Sequence, residues 1–474
     1  MITLKNFIGG ELCDPAHGNY LDNYNPSIGE VYAQIPDSSQ EDLHAAVNAA
    51  NAAFPMWSQL PIGERSKHLM KLADLIEANL DQLAAAESQD NGKPVSLARK
   101  VDIPRAAANF RFFAAAIVND GTSAHIMEGQ AVNYTRRAPL GVVGCISPWN
   151  LPLYLLTWKI APALATGNCV IAKPSEVTPY TAHLLGELVQ EAGIPAGVLN
   201  ILHGRGAGIG QMLVDHADIK AISFTGGTST GKVIARSAAE QFKKVSLELG
   251  GKNPVLVFDD CEFEEAVATS VRSAFTNQGE ICLCGSRIFV QESIYNEFKE
   301  AFVSKVQKLK VGDPNTTVDM GPLVSREHLQ KVKNHVDQAK KQGATILTGG
   351  EKIERKGYYF EPTVIEGMDE YCAINQEEVF GPVVTLVPFR DEADAIAKAN
   401  STVYGLAAVI WTNDLKCAHR VAHQIQSGII WVNCWMLRDL RTPFGGMKAS
   451  GVGREGGEEA LRFFTEPQNI CIKL

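Results

Sequence analysis

A short apolar run leads into a polar turn at Val142-Val143-Gly144-Cys145-Ile146-Ser147-Pro148-Trp149-Asn150. Four further apolar runs follow, and segments with helical periodicity separate them. Strands that alternate with helices at this spacing indicate βαβ units and a parallel, doubly wound sheet. The runs that we predict as strands are residues 142–146, 169–172, 198–202, 221–224 and 245–247.

Two other regions extend this pattern. Residues 39–116 are helical in pattern, because Leu43, Val47, Leu69, Leu72 and Ile76 recur mostly at intervals of three and four. A second alternation begins after residue 251 and predicts a second α/β domain. Its strands are predicted at 255–258, 288–290, 383–387, 408–411 and 429–432, and its helices at 294–309, 326–342 and 393–399.

Length and charge limit the possible classes of protein. A chain of 474 residues suggests about three structural units at roughly 150 residues each. The formal net charge of -9 argues against nucleic acid or an anionic membrane surface as the main partner, because both reward dense positive charge. No basic N-terminal region precedes an apolar run, and no stretch approaches the ~20 apolar residues of a membrane span. These features predict a cytoplasmic protein.

The ten cysteines are spread along a long chain, which is not the pattern of a disulfide framework. Cys282 and Cys284 lie two residues apart, and no second Cys or His pair at zinc spacing accompanies them. We therefore predict reduced thiols and no metal site.

One thiol and one carboxylate are candidates for chemistry. Cys282 lies in Phe-Thr-Asn-Gln-Gly-Glu-Ile-Cys-Leu-Cys-Gly-Ser-Arg (275–287), and Glu248 lies in Leu-Glu-Leu-Gly-Gly-Lys (247–252). A thiol is the best nucleophile among neutral side chains, and a nearby carboxylate could activate water to release an acyl group from the sulfur. From spacing alone, a buried structural cysteine and a solvated glutamate are at least as probable.

A nucleotide site of another kind is also conceivable. Residues 226–232, Gly-Gly-Thr-Ser-Thr-Gly-Lys, have the spacing of a phosphate-binding P-loop, which would indicate an NTPase. Val233 follows the lysine, where that motif requires a hydroxyl to hold magnesium. The small residues after the strand at 221–224 can still bring the N-terminal amides of the next helix to a phosphate.

Taken together, the motifs resemble the aldehyde dehydrogenase superfamily over nearly the whole chain. Six motifs occur in the family's order: Ser-Pro-Trp-Asn (147–150), Lys-Pro-Ser-Glu (173–176), Phe-Thr-Gly-Gly-Thr (224–228), Glu-Glu-Val-Phe-Gly-Pro-Val (377–383), Pro-Phe-Gly-Gly-Met-Lys (443–448) and Ser-Gly-Val-Gly-Arg-Glu (450–455). The resemblance implies two doubly wound α/β domains plus a small β element. It implies an NAD-binding domain (1–120 and 138–250), a catalytic domain (251–440), and an oligomerisation element (121–137 and 464–474) through which subunits form a homodimer or homotetramer.

The resemblance also implies a mechanism. Cys282 attacks the aldehyde carbon, and the Asn150 amide and the Cys282 N–H stabilise the oxyanion. Hydride then passes to NAD, and Glu248 deprotonates the water that hydrolyses the thioester. Glu280 departs from the glutamine more usual at its position, and an inward-facing carboxylate could raise the thiol pKa. Cys284 is assigned to packing.

The residues that the resemblance assigns to NAD lie mainly in three of these motifs, at 173–176, 224–228 and 377–383. Lys173 and Glu176 would bind the adenosine ribose, where a carboxylate repels a 2′-phosphate and favours NAD over NADP. A helix-terminal acid is the structural alternative for Glu176. Glu378 would bind the nicotinamide ribose, with Phe380 beside the ring. The other predicted cofactor residues are Ser147, Trp149, Phe224, Gly226, Gly227, Thr228, Gly231 and Leu249.

Residues 103–111 and 433–444 resemble the branch that oxidises 2-aminomuconate and 2-hydroxymuconate semialdehydes, which are products of aromatic-ring cleavage. Such a substrate carries an aldehyde at one end and a carboxylate at the other, and arginine suits a carboxylate. We predict Arg105 and Arg438 as its partners, with Arg441 as the alternative to Arg438, and Trp158 and Trp435 as further substrate residues. Pairing of these arginines with surface acids such as Asp439 is the competing interpretation.

Other classes remain as alternatives. A broad aliphatic or succinate semialdehyde dehydrogenase is the alternative within the family. A CoA-acylating enzyme would not need Glu248, and a non-catalytic structural protein would be expected to lose Cys282, Glu248 or Asn150.

Overall fold

The predicted alternation of strands and helices is present in the computed structural model, which describes residues 1–474. The strands, in chain order, are β1 (Ile2–Thr3), β2 (Asn6–Ile8), β3 (Glu11–Cys13), β4 (Tyr20–Asn25), β5 (Glu30–Pro36), β6 (Ala124–Met127), β7 (Ala131–Pro139), β8 (Val142–Ile146), β9 (Cys169–Lys173), β10 (Leu199–Ile201), β11 (Ile219–Thr225), β12 (Lys244–Glu248), β13 (Asn253–Val257), β14 (Gly285–Gln291), β15 (Thr345–Thr348), β16 (Thr363–Glu366), β17 (Val383–Phe389), β18 (Tyr404–Gly405), β19 (Ala407–Trp411), β20 (Ile429–Val432), β21 (Met447–Lys448), β22 (Gly451–Val452) and β23 (Thr465–Lys473).

The helices connect these strands and cover the sheets. They are α1 (Gln40–Gln59), α2 (Ile62–Ala78), α3 (Leu80–Asn91), α4 (Val95–Leu97), α5 (Ile103–Val118), α6 (Pro152–Ala165), α7 (Tyr180–Glu191), α8 (Gln211–Asp215), α9 (Thr228–Glu240), α10 (Phe263–Phe275), α11 (Tyr295–Val306), α12 (Arg326–Lys341), α13 (Ala373–Gln376), α14 (Glu392–Ala399), α15 (Leu415–Gln424) and α16 (Gly457–Phe463). None of them is long and apolar enough to cross a membrane.

The first large sheet has the strand order β22-β12-β11-β8-β9-β10-β2-β3. Its five central strands are parallel, and they are the five that the apolar runs predict. From β8 the chain builds outward through β9 and β10, and then returns to add β11 and β12 on the other side. Ligands of doubly wound sheets bind at such a reversal, beyond the carboxyl ends of the strands. In this chain that position lies between β8 and β11.

The second large sheet has the order β15-β16-β17-β14-β13-β19-β20. Its strands are parallel except β15, which pairs antiparallel at one edge. Only four residues separate β12 from β13, so the end of the first sheet leads directly into the second. The predicted fold class, two doubly wound α/β domains with a small β element, is therefore confirmed.

Several edge strands were not predicted. Strands β2 and β3 add an antiparallel edge to the first sheet, and β22 pairs antiparallel with β12, with Gly451 opposite Glu248. The segment beyond residue 440 thus returns to the first sheet, whereas the predicted domains left residues 441–463 unassigned. This return brings the C-terminal motifs next to Glu248.

Three strands form the predicted small β element. Strands β6 and β7 make a hairpin, and β23 pairs along the whole of β7. Ile126 and Ile472 are 72% and 53% exposed on this sheet. Association of subunits through it stays a prediction.

Candidate active site

The loop that carries Cys282 has an unusual backbone. Asn277, Gln278 and Gly279 have φ values of 54°, 58° and 71°, which is the left-handed region. Asparagine tolerates that region and glycine favours it. A Cβ on Gly279 would lie 2.3 Å from the carbonyl oxygen of Gly381, so the loop can pass there only as glycine. These three residues turn the chain between α10 and β14 so that Cys282 faces the first sheet.

Asn150 lies directly against this loop. Its side-chain Nδ2 donates a 2.9 Å hydrogen bond to the carbonyl of Glu280, which uses one of its two N–H groups. The Cys282 N–H has no hydrogen-bond acceptor within the protein. Two N–H groups are therefore available beside the sulfur, from the two residues predicted to form the oxyanion site.

The Cys282 thiol lies in an environment that opposes its ionisation. Burial raises its pKa, and the carboxylates of Glu248 and Glu378 raise it further. The guanidinium of Arg438 acts in the opposite direction and lowers it. Glu280 is fully buried, but its Oε1 accepts a hydrogen bond from the Val324 N–H, and it is not among the groups that shift the thiol.

Glu248 is at the carboxyl end of β12 and is only 3% exposed. Burial, followed by the charge of Glu455, raises its pKa well above the ordinary value. Its Oε1 has no hydrogen-bond partner. A Cβ on Gly445 would lie 2.6 Å from that oxygen, so glycine is needed where the C-terminal motif passes the carboxylate.

A buried ion pair behind Glu248 was not predicted. Lys159 Nζ lies 2.6 Å from Glu455 Oε1, and the Ser223 hydroxyl donates to the same oxygen at 3.1 Å. The Oε2 of Glu455 is buried without a partner. Lys159 is the one charged residue of helix α6, all of which is buried, and a lysine in so apolar a segment was the available sequence signal.

A cavity of about 210 Å³ opens at the reversal of the first sheet. The rings of Trp149 and Phe380 are nearly perpendicular, with centroids 5.2 Å apart. The His328 ring lies 5.0 Å from the Trp149 ring, and its Nε2 donates to the Phe380 carbonyl at 2.6 Å. His328 was not predicted. The cavity is lined by Trp149, Asn150, Cys282, His328, Glu378 and Phe380, among others.

The turns around this cavity suit a dinucleotide. Helix α9 begins at Thr228 directly after β11, with Gly227 as its N-cap. Thr228 Oγ1 and Ser147 Oγ are buried without hydrogen-bond partners. A Cβ on Gly226 would lie 2.4 Å from the Phe224 ring. Free amides at a helix terminus and unpartnered hydroxyls are what a phosphate-bearing cofactor requires.

The predicted ribose residues are also in contact with each other. Lys173 Nζ lies 2.9 Å from Glu176 Oε2, and Glu176 Oε1 accepts from the Gly206 N–H at 3.0 Å. Burial opposes ionisation of Glu176, but Lys173 outweighs it and the pKa is lowered. Glu176 is therefore an anion that can accept from hydroxyl groups. Gly231 instead packs on Leu249, where a Cβ would lie 2.5 Å from its side chain.

A second cavity, of about 920 Å³, contains the predicted arginines. The guanidinium carbons of Arg105 and Arg438 lie 5.8 Å and 5.5 Å from the Trp158 ring centroid. Arg438 Nη1 donates to the Tyr154 hydroxyl at 2.8 Å, and its guanidinium lies 3.9 Å from the Phe444 ring centroid. Arg105 Nε and Nη2 are buried without a partner.

The remaining predicted substrate residues behave differently. Arg441 forms a bidentate ion pair with Asp439 and is 80% exposed, so the alternative to Arg438 is already paired with a surface acid. Trp435 donates its indole N–H to the Leu283 carbonyl at 3.0 Å, and this hydrogen bond stabilises the loop that carries Cys282. Cys284 is buried, as predicted for a packing residue.

The site combines two doubly wound α/β sheets with a cavity that is lined by the Cys282 thiol, and the buried carboxylate of Glu248 ends a strand of the first sheet. This arrangement suits an oxidoreductase. The chain belongs to the aldehyde dehydrogenase family, because the model of the "Aldehyde dehydrogenase family" matches residues 13–470. It is an NAD-dependent aldehyde dehydrogenase.

Individual relatives narrow the comparison. The 2-aminomuconic semialdehyde dehydrogenase of Danio rerio is 49% identical over 100% of this chain and 98% of its own length. The 2-hydroxymuconic semialdehyde dehydrogenase of Pseudomonas sp. (strain CF600) is 46% identical, with both chains fully covered. The NAD⁺ complex of an aldehyde dehydrogenase from Bacillus cereus superimposes with a TM-score of 0.98 at 40% identity, covering 100% of this chain and 97% of that one.

Proposed function

We propose that this enzyme oxidises a semialdehyde that carries a distal carboxylate, with 2-aminomuconate and 2-hydroxymuconate 6-semialdehydes as the best candidates. The observation that carries the proposal is the pair Arg105 and Arg438, two guanidinium groups in one cavity with no acid partner. Burial lowers the pKa of Arg105, and the charge of Arg438 acts in the same direction. A carboxylate of the substrate would relieve this repulsion and supply the missing hydrogen-bond acceptors.

The charge of Arg438 acts on the two catalytic candidates as well as on the arginine cavity. Its contribution lowers the pKa of Cys282 and that of Glu248, against the larger effect of burial, which raises both. A carboxylate at the arginines and an aldehyde at the sulfur would therefore both lie within electrostatic range of the Arg438 guanidinium. This arrangement supports a linear molecule with an aldehyde and a carboxylate at opposite ends.

The first bond forms between the Cys282 sulfur and the aldehyde carbon, and the thiol proton passes to water. The aldehyde oxygen gains negative charge, which the Asn150 side-chain N–H and the Cys282 N–H would stabilise. Losing one such donor typically costs about a hundredfold to a thousandfold in rate. NAD, when bound, supplies the acceptor for the hydride that leaves the former aldehyde carbon.

NAD would be held by groups that are already oriented. Glu176 and Lys173 would bind the adenosine ribose. The amides at the start of α9 and the hydroxyls of Ser147 and Thr228 would donate hydrogen bonds to phosphate. Glu378 would bind the second ribose. Glu378 Oε1 accepts from the Gly251 N–H at 2.8 Å, which fixes the carboxylate at the cavity wall.

Hydrolysis would then release the acid. Glu248 takes a proton from water, the oxygen of that water attacks the thioester carbon, and the carbon–sulfur bond breaks to return Cys282. The raised pKa makes Glu248 a stronger base than an exposed carboxylate. Glu455 and Lys159, whose ion pair is buried behind Glu248, would carry the proton away.

We also propose the domain roles as predicted: NAD binding by residues 1–120 and 138–250, catalysis by 251–440, and association into a homodimer or homotetramer through 121–137 and 464–474. The contact of β22 with β12 supports adding residues 441–463 to the NAD-binding side.

The experiment that tests this function compares kcat/KM for 2-hydroxymuconate 6-semialdehyde and for an uncharged aldehyde in Arg105→Met and Arg438→Met. Charged hydrogen bonds are worth about 1.5 to 3 kcal/mol, so each variant should lose roughly ten to a hundredfold with the charged substrate. Arg105→Met should lose far less with the uncharged one. Arg441→Met is the matched control and should change neither, because Arg441 is paired with Asp439. Equal losses on both substrates in Arg105→Met would favour a broad aliphatic aldehyde dehydrogenase.

A further inference from the structure

A fully buried charge cluster lies behind Asn150. Lys93 Nζ is 2.7 Å from Asp102 Oδ2 and 3.6 Å from Glu87 Oε1, and none of the three side chains is more than 1% exposed. Burying an ammonium group costs several kcal/mol unless it is well paired. No residue of this cluster takes part in the chemistry described above.

One backbone carbonyl group, that of Asn150, joins the cluster to the candidate active site by a hydrogen bond. Lys93 Nζ donates a 3.1 Å hydrogen bond to the backbone oxygen of Asn150. The Nδ2 atoms of Asn277 and Asn91 donate to the same oxygen at 3.1 Å and 3.4 Å. A carbonyl oxygen has two lone pairs, so three donors exceed its usual complement. Asn91 also donates to the Trp149 carbonyl at 3.1 Å.

The turn that carries Lys93 has little freedom to move. Helix α3 ends at Asn91, and Gly92 follows with φ of 86°. A Cβ on Gly92 would lie 2.7 Å from the Pro322 side chain, and a Cβ on Gly321 would lie 1.8 Å from the Gly92 oxygen. Lys93 therefore extends from a fixed point between the two large domains.

The cluster also fixes the chain after Asn150. Glu87 Oε2 accepts from the Leu153 N–H at 3.4 Å, at the start of α6, and from the Thr181 hydroxyl at 3.1 Å. Lys93 and Glu87 thus hold the backbone on both sides of the peptide that positions the Asn150 amide.

We infer that Lys93 is a positioning residue for the Asn150 side chain, held in place by Asp102 and Glu87, and that it acts on the reaction only through Asn150. The inference rests on the proposed role of Asn150 as an oxyanion donor. Such a donor must be held within a fraction of an ångström, because a misplacement of about 1 Å can cost roughly a hundredfold in rate. A hydrogen bond from a buried cation to the backbone carbonyl of Asn150 supplies that restraint.

The test is a double-mutant cycle of Lys93→Met and Asn150→Ala. The readout is the single-turnover rate constant of NADH formation, with enzyme in excess and active sites counted by alkylation of Cys282. We expect Lys93→Met to lower this rate constant about ten to a hundredfold in the wild-type background. In the Asn150→Ala background it should lower it by less than about threefold.

A merely structural role gives a different pattern, since it reduces the number of active sites and leaves the rate constant per site unchanged. Lys93→Met leaves Asp102 buried without a cation, so Lys93→Met/Asp102→Asn is the second variant if the first does not fold. Lys299→Met is the matched control, because it removes a partly buried ion pair with Glu366 away from the site. It should leave the rate constant unchanged.

Three results would overturn the inference while leaving the role of Asn150 intact. These are additive losses in the cycle, a normal rate constant in the Lys93 variants, or a loss confined to the count of active sites. If Asn150→Ala itself turns over at the wild-type rate, the proposed oxyanion donor is wrong, and the inference is overturned with it.

Discussion

Arg105 and Arg438 line one cavity and both lie within 5.8 Å of the Trp158 ring centroid, and neither forms an ion pair with the protein. Arg441, only three residues beyond Arg438, is bound to Asp439 at 2.6 Å. The surface-pairing interpretation therefore describes Arg441 and fails for the other two. The two guanidinium groups therefore lie beside aromatic rings without a neutralising acid, which is the basis of the proposed carboxylate site.

Deacylation can be separated from acylation by removing the base. Glu248→Ala should release about one NADH per active site and then stop, because the thioester forms on Cys282 and is not hydrolysed. Rapid mixing that follows NADH absorbance measures this burst. Cys282→Ala is the control and should give neither burst nor turnover while binding NAD. Continuous turnover in Glu248→Ala would show that Glu248 is not the base that activates water for hydrolysis of the thioester.

Arg438 should affect the thiol as well as the substrate. Because its charge lowers the pKa of Cys282, Arg438→Met should raise that pKa and reduce the thiolate fraction at any pH below it. The rising limb of kcat/KM against pH, measured with an uncharged aldehyde, should move to higher pH. Arg105→Met serves as the comparison and should leave the limb in place. Identical pH profiles for all three proteins would show that Arg438 does not influence the sulfur.

Cofactor choice should depend on Glu176. The lowered pKa keeps it ionised at neutral pH, so it repels a 2′-phosphate. Glu176→Gln should narrow the preference for NAD over NADP by about tenfold or more, measured as the ratio of kcat/KM values. Glu187→Gln, an exposed acid on α7, should leave the ratio unchanged. An unaltered ratio in the Glu176 variant would mean that the carboxylate does not face the ribose.

A buried histidine should make stability depend on pH. Burial, assisted by the charges of His183 and Lys173, lowers the pKa of His203 to about 3, against about 6.5 in the unfolded chain. Between these values the unfolded chain binds a proton that the folded protein does not, so stability falls as pH falls from about 6.5. His203→Phe should lose less of its urea midpoint between pH 7.5 and pH 5 than the wild type. An equal loss in both proteins would contradict a neutral, buried His203.

The five central strands of the first large sheet and five of the seven strands of the second could be predicted, because most of them are buried on both faces and therefore form continuous apolar runs. Predicted and observed bounds of β8 and β20 agree to the residue. Strands such as β4, Tyr-Leu-Asp-Asn-Tyr-Asn, could not be predicted in this way, since they are short, polar and half exposed. The return of β22 to the first sheet depends on glycine-rich turns that have no periodicity.

The sequence predicts which residues belong to the candidate site, but it does not predict their hydrogen-bond partners or the directions of their side chains. The motifs identify Cys282, Glu248 and Asn150 as candidates. The sequence does not predict that Asn150 donates one of its two side-chain N–H groups to the Glu280 carbonyl. The direction of the Glu280 side chain was likewise open, and the backbone N–H of Val324, 44 residues away, decides it. Lys159 was detectable as a lysine in an apolar helix, whereas its partner Glu455 lies 296 residues further on.

The most direct test of the account uses one aldehyde in two forms, 2-hydroxymuconate 6-semialdehyde and the same compound with its carboxylate converted to a methyl ester. Both offer the same aldehyde to Cys282, and only the acid can bind Arg105 and Arg438 as an anion. In the wild type, kcat/KM should fall roughly a hundredfold or more on esterification, because the ester cannot bind either arginine as an anion. In Arg105→Met, which keeps Arg438, the ratio of acid to ester should be roughly ten to a hundredfold smaller than in the wild type. Equal kcat/KM values for acid and ester in the wild type would contradict recognition of the carboxylate by these arginines.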